Sequence, residues 1–387
     1  MYNFDVLLER RHTDSTKWDA MERDYGRDDL MPFWVADADF PVLPEINQAL
    51  QERSGEGMTF GYTFAGERYY NSIIAWNRER HGLELEKEFL IPAPGVITAL
   101  SVVLLSVAEK GDKILVNPPV YSPFFTVVKG LGYELFESPL LYNGESYELD
   151  FEDIEKKFKE GVSIYILCSP HNPVGRVWKE EELKRLSSLC KQYGVLIISD
   201  EIHYDIVYPG HRHLSILNVD EDEDAVMITA PSKTFNIAGL KSSIIIIKNR
   251  ELREKVGDFA ASMHLYINLF AYRATETAYE KGGPWVDEMM AYLEENARFV
   301  VGYITKYLPK VKVAMPESTY LMWMDFSGCR FTQEELFLKM RDEAKVALNF
   351  GAEYGSGYEQ FVRLNIACPR RYLEEGMEHI RNSLANK

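Results

Sequence analysis

Residues 195–205 read VLIISDEIHYD, and this stretch decides how the rest of the chain is read. Its opening run is apolar without alternation, which predicts a strand covered on both faces rather than one with a wet side. The run stops abruptly at Asp200 and Glu201. Working outward, comparable runs recur as KILV (113–116), IYIL (164–167), AVMIT (225–229) and SIIIIK (243–248). The segments between them carry a helical period. In EEELKRLSSLCKQY (180–193), Leu183, Leu186, Leu189 and Cys190 fall on one face. Strands alternating with amphipathic helices predict an α/β architecture with a largely parallel sheet.

The pattern changes at KGGP (281–284). A long amphipathic helix is predicted beyond it, with Val286, Met289, Met290, Leu293, Ala297, Val300, Val301 and Ile304 in period. A strand at YLMWMD (320–325) and helices over 333–344 and 372–384 follow. The expected division is a large domain over 46–285 and a smaller α+β domain over 286–387. Residues 1–45, rich in Trp, Asp and Pro, form an arm that packs elsewhere.

Composition narrows the function classes. The 387 residues suggest about two or three domains. With 43 basic and 60 acidic residues the net charge is −17, which argues against general nucleic-acid binding. The longest nearly apolar stretch, 98–108, is broken by Ser101 and Ser106 and falls short of the ~18 residues of a membrane span. MYNFDVLLERRHTDS has no apolar segment of a secretory signal. Cys168, Cys190, Cys329 and Cys368 are widely spaced, so reduced thiols and a cytoplasmic location are expected. The DEDED tract (220–224) reads as a solvated loop. His211 and His213 lack acidic or Cys companions and read as a surface loop, with no metal site expected. The motifs GxxxxGK[ST], HExxH and GxSxG are absent, and neither Gly130-Leu131-Gly132 nor Gly355-Ser356-Gly357 continues to a dinucleotide fingerprint.

The chemistry lies at the strand ends, where ligands of doubly wound sheets sit. Pro94-Gly95-Val96 opens an apolar helix whose unpaired N–H groups suit an anion such as phosphate. Asp200 ends a buried strand and needs a cationic partner, such as a protonated ring nitrogen. Lys233, in APSKTFN (230–236), leaves another buried strand, where desolvation lowers its pKa and makes it a nucleophilic amine. The prolines of SPHNPVG (169–175) aim Asn172, and in NPPVY (117–121) Tyr121 is placed to stack on a flat ring. Taken singly, each segment also reads as ordinary structure: a helix start, a capping Asp, a surface Lys, a turn, a core Tyr.

Taken in order, NPPVY, SPHNPVG, SDEIHYD, SKTFNIAGLK and FVRLNIACPR resemble the pyridoxal-phosphate enzymes of the aspartate-aminotransferase fold, fold type I, over essentially the whole chain. WVADADFP (34–41), FGYT (60–63) and RLNIACPR (363–370) resemble most the branch of MalY- and PatB-type cystathionine β-lyases, which cleave carbon–sulfur bonds in cysteine conjugates. The resemblance implies pyridoxal 5′-phosphate as cofactor and Lys233 as its Schiff-base lysine. It implies Asp200 on the ring nitrogen, Asn172 on the phenolic oxygen, Tyr121 on the ring face and His203 beside the ring. Gly95, Val96, Ser232 and Lys241 would hold the phosphate, and Tyr62 would reach the cofactor of a second subunit in a homodimer. Arg363 would clamp the carboxylate of a small amino-acid substrate, with Ala36 and Tyr121 also at the substrate. The implied reaction is α,β-elimination to pyruvate, ammonia and a thiol. An aminotransferase, or a regulatory protein acting through a protein partner, are the alternatives. Three positions depart from the wider pattern: His203 and Lys241 where many relatives have Tyr and Arg, and Tyr354 where the lyase branch often has Phe.

Overall fold

In the computed structural model, which describes residues 2–55, 59–144, 146–221 and 223–385, the apolar runs become neighbouring strands of one sheet. Along the chain they are β1 (Leu90–Ala93), β2 (Lys113–Val116), β3 (Glu134–Glu137), β4 (Val162–Cys168), β5 (Leu196–Asp200), β6 (Val226–Thr229) and β7 (Ser243–Ile247). Their spatial order is β1-β7-β6-β5-β4-β2-β3, and β7 alone runs against the others. The unbroken apolar character follows from two cores. Ile244 and Ile246 of β7 join one, Ile245 and Ile247 the other, as the alternation of strand side chains requires. Burying each is worth about 1.5–3 kcal/mol. The helices Val96–Val107 and Arg250–Ser262 close one face; Glu180–Tyr193 and Leu269–Lys281 close the other. Helix Glu180–Tyr193 stops at Gly194, whose φ of 66° is the left-handed value that glycine adopts freely.

Beyond the helix Gly283–Tyr307 a second, antiparallel sheet forms from β8 (Lys312–Val313), β9 (Leu321–Asp325), β10 (Asn349–Phe350) and β11 (Phe361–Asn365), in the order β8-β9-β11-β10. The helix expected over 333–344 is α-helical only over Gln333–Leu338. It widens into a π-turn at Lys339–Glu343, where Ala344 N bonds Lys339 O at 2.9 Å. The first forty residues clasp this layer. Met31–Pro32 pairs in parallel with Val346–Ala347, and Phe4 packs edge-on against Phe40 and Trp285.

The His211/His213 pair does not stay together on the surface. His211 is exposed, whereas His213 is buried and meets Glu201 Oε2 at 2.8 Å. Glu201 is fully buried at the β5 exit and must be satisfied there; Ser199, Ser215 and the Ile216 amide also donate to it. In the acidic tract, residue 222 lies outside the described residues, and Asp220 Oδ2 accepts from Ala225 N at 2.6 Å. Among the described residues no helix is long and apolar enough to cross a membrane, and no three His, Cys, Asp or Glu side chains are grouped to hold a metal.

Candidate active site

Strands β1, β2, β4, β5 and β6 end at one edge of the large sheet. Because β7 runs the opposite way, the segment that enters it, carrying Lys241 and Ser242, lies at that edge too. The register pairs Cys168 with Asp200, Asp200 with Ile228 and Ser243 with Ala93, and Ser243 Oγ donates to Ala93 O at 2.9 Å. These exits, residues 34–36 and Arg363 of β11 enclose a cavity of about 350 Å³. It is lined by Gly95, Val96, Tyr121, Asn172, Asp200, His203, Ser232, Lys233 and Lys241, together with Ala36 and Arg363. A wider groove of about 660 Å³ beside residues 309–317 offers no comparable set: its Arg176 is already paired with Glu182 and Glu317.

One end of the cavity suits an anion. Gly95 has φ +100°, a conformation that a side chain would strain, and the Lys241 stem lies against it. The first intrahelical bond runs from Ala99 N to Gly95 O at 2.9 Å, and no side chain caps the helix. The amides of Val96, Ile97 and Thr98 therefore present unpaired donors and the positive end of the helix dipole. Ser232 and Lys241 stand at the same end.

At the centre, Asp200 is buried, and among the described residues its carboxyl accepts one hydrogen bond, from Ile202 N at 3.1 Å. Desolvation pushes its carboxyl up to about 7, against the pull of Lys233. Burial likewise lowers Lys233 to about 8, against the opposing charge of Asp37. Its Nζ donates to Ala36 O at 2.6 Å. His203 is buried beside them, held to about 3 by desolvation and by Lys233 and Arg363, so its ring is neutral at ordinary pH. Its Nδ1 has no hydrogen-bond partner among the described residues. Tyr121, half-buried, packs edge-on against Phe124 at 5.7 Å.

Arg363 closes the other end. It is buried, with Nη1 on Asn172 Oδ1 (3.1 Å) and Nη2 on Asn349 Oδ1 (2.6 Å) and Trp34 O (2.8 Å). Its Nε has no partner among the described residues. With its oxygen committed to Arg363, the Asn172 amide nitrogen is left to donate elsewhere. Unpaired buried donors are costly and mark where a ligand's acceptors belong. An anion cradle, a buried acid and a desolvated lysine between them match a flat, phosphorylated pyridine aldehyde; Arg363 matches a carboxylate beyond it.

Tyr62 is not brought to this cavity within one chain. It is fully exposed, in a surface pocket with exposed Phe60 and Tyr266. The structure adds residues that the sequence reading passed over: Trp34, Asn349 and Tyr320, whose hydroxyl also reaches Ala36 O at 3.1 Å. Asn349 stands outside the quoted stretches, and Tyr320 opens YLMWMD, whose pattern marks only a strand.

The chain belongs to the class I and II aminotransferase family, whose model matches residues 28–380. Within that family it groups with the PatB type. It is 42% identical over 390 residues to the cystathionine β-lyase PatB of Bacillus subtilis (strain 168), covering 99% of this chain and 100% of PatB. Among solved structures, cystalysin from Treponema denticola, which contains a pyridoxal 5′-phosphate cofactor, superposes with a TM-score of 0.96 at 31% identity, over 100% of this chain and 99% of cystalysin. The PLP-bound C–S lyase from Staphylococcus hominis gives 0.92 at 32% identity, over 100% of both chains.

Proposed function

We propose that this protein is a pyridoxal-phosphate-dependent carbon–sulfur lyase that eliminates a thiol from L-cystathionine or a related L-cysteine S-conjugate, leaving pyruvate and ammonia. The observation that carries the reading is the single cavity in which Lys233, Asp200 and Arg363 converge beside an uncapped helix start. Full-length similarity to PatB supports it.

The cofactor phosphate would rest on the Val96 amide, Ser232 and Lys241; the Gly95 amide, expected to join them, already donates to Ala93 O at 3.0 Å, and Gly95 contributes by leaving room. Lys233 would hold its aldehyde carbon, Asp200 its ring nitrogen, Asn172 Nδ2 its phenolic oxygen, and Tyr121 its face, with His203 beside the ring. When bound, pyridoxal phosphate supplies an electron sink for the pair released at the substrate's Cα. Arg363 offers a planar fork to the substrate carboxylate and so turns the Cα–H bond toward Lys233. A lysine lowered to about 8 is partly free amine near neutral pH, so Nζ can take the Cα proton and return it to the leaving sulfur. Asp200, raised to about 7 in the cofactor-free protein, would hold the ring nitrogen and be ionised opposite its positive charge.

The exposed aromatic side chains Phe60, Tyr62 and Tyr266, which line one surface pocket, support a homodimer in which Tyr62 completes the phosphate site of the second subunit. Four unpaired cysteines fit a reducing cytoplasm. We take 46–285 as the cofactor domain and 286–387 with 1–45 as the small domain, since β1–β7 fall in the former and β8–β11 in the latter. The family's name favours transamination as a second reading. Pyruvate release from cystathionine with no keto acid present supports the lyase; amino-group transfer that needs an added keto acid overturns it.

A further inference from the structure

Residues 34–38 are held in an unusual way: each of five consecutive carbonyls accepts from a side chain. Trp34 O takes Arg363, Val35 O takes Asn365, and Ala36 O takes both Lys233 and Tyr320. Asp37 O takes Lys17 and Asn365, and Ala38 O takes Arg10 and Asn236. The segment is therefore a fixed rail, and the Ala36 oxygen is a fixed point on it. Lys233 Nζ lies 2.6 Å from that oxygen and Tyr320 Oη 3.1 Å. Tyr320 is fully buried, its ring edge-on to His203 at 6.1 Å, and burial keeps its phenol protonated. It can therefore only donate to Ala36 O.

We infer that Tyr320 is a positioning residue for Lys233, acting through the Ala36 carbonyl. The inference rests on the reading of Lys233 as the proton-transferring amine. During turnover the amine is released from the cofactor, and it then needs a resting place that aims its lone pair at the substrate. The Ala36 oxygen provides one. By occupying part of that oxygen's accepting capacity, Tyr320 makes it a poorer acceptor for an ammonium, and so favours the free amine. The charged groups that also act on Lys233 are Asp37, Asp200, Arg363 and Lys241; neutral His203 completes the surroundings. None of these contacts the Tyr320 hydroxyl by hydrogen bond, so its removal isolates the effect.

The test uses Tyr320→Phe, which keeps the ring against His203, and Tyr320→Leu as a second variant lacking the hydroxyl. The cofactor-free protein is treated with trinitrobenzenesulfonate over a range of pH, and modification of Lys233 is followed by peptide mass spectrometry. Both variants should raise the pH midpoint of Lys233 reactivity by about half a unit, roughly threefold less free amine on the acid side. In the cofactor-loaded enzyme the rising limb of kcat against pH should move the same way, with KM little changed. An unmoved or lowered midpoint in a folded variant overturns the inference, as does a pH-independent loss of kcat. The reagent titration needs no turnover. A wild type without lyase activity would sink the functional reading and still leave the Tyr320–Lys233 link readable.

Discussion

Replacing Asp200 with Asn should make the cofactor-free protein more stable at neutral pH while weakening its hold on the cofactor. The carboxyl is buried with one backbone donor, and its pKa rises from 3.8 to about 7 on folding. Between those values the folded state binds more protons than the unfolded state. The stability is fully present below pH ~4 and is lost as pH rises toward ~7. A shift of about 3 units corresponds to an upper limit of about 4 kcal/mol. Asn has the same shape and no proton to lose. Urea unfolding of both cofactor-free proteins should therefore give similar stabilities near pH 4 and a gap opening to about 2–4 kcal/mol in favour of Asp200→Asn by pH 8. Added pyridoxal phosphate should reverse the order, because only Asp200 offers the ring nitrogen an anion. Parallel stability curves across this range, or a variant less stable than wild type at pH 8, would refute the reasoning.

Lys233→Ala should abolish the cofactor's lysine-bound visible absorbance and lower turnover by about 10²–10⁴-fold or more, as steady-state kinetics will show. Arg363→Lys keeps the charge but loses the fork shared by Asn172, Asn349 and Trp34 O; it should cost ~2–4 kcal/mol in kcat/KM, and less for a substrate lacking the carboxylate. Tyr62→Ala should leave the fold intact in circular dichroism but raise the cofactor Kd measured by equilibrium titration, and a monomer active at high dilution in sedimentation would remove the shared-site model. Gly376→Ala places a Cβ 2.5 Å from the Phe33 ring, so despite better helix propensity it should destabilise by about 1–3 kcal/mol in chemical denaturation.

The sheet was legible in the sequence because strands buried on both faces must be apolar at every position, as the isoleucines of β7 are. The strand-exit residues were legible because a polar side chain at the end of such a run has few ordinary reasons to be there. Asp200, Lys233, Asn172 and Gly95 do meet in one cavity. Residues 34–38 were legible only as a family signature with Ala36 near the substrate, not as a hydrogen-bonded rail. The rail acts mainly through backbone carbonyls, which every sequence possesses. His213 misled for a related reason: only the folded chain shows that Glu201 is buried and in need of it. The π-turn after Leu338 leaves no mark in a period count, since one widened turn shifts the phase by a single residue.

The rail at 34–38 also constrains how the protein can be made. Trp34 is bonded to Arg363 across 329 residues of chain, and Ala36 to Lys233 across 197. At about 5–20 residues per second, a ribosome takes roughly 16–66 s to supply Arg363 after Trp34. During that interval the segment can meet Lys233, Asn236 and Tyr320 but not Arg363 or Asn365, so it is only partly held. The last strand synthesised adds the remaining donors to the rail, Arg363 and Asn365. A nascent chain halted before β11 would carry the lysine, the anion cradle and Tyr320 but neither the carboxylate clamp nor the side chains that hold Trp34 and Val35 in place.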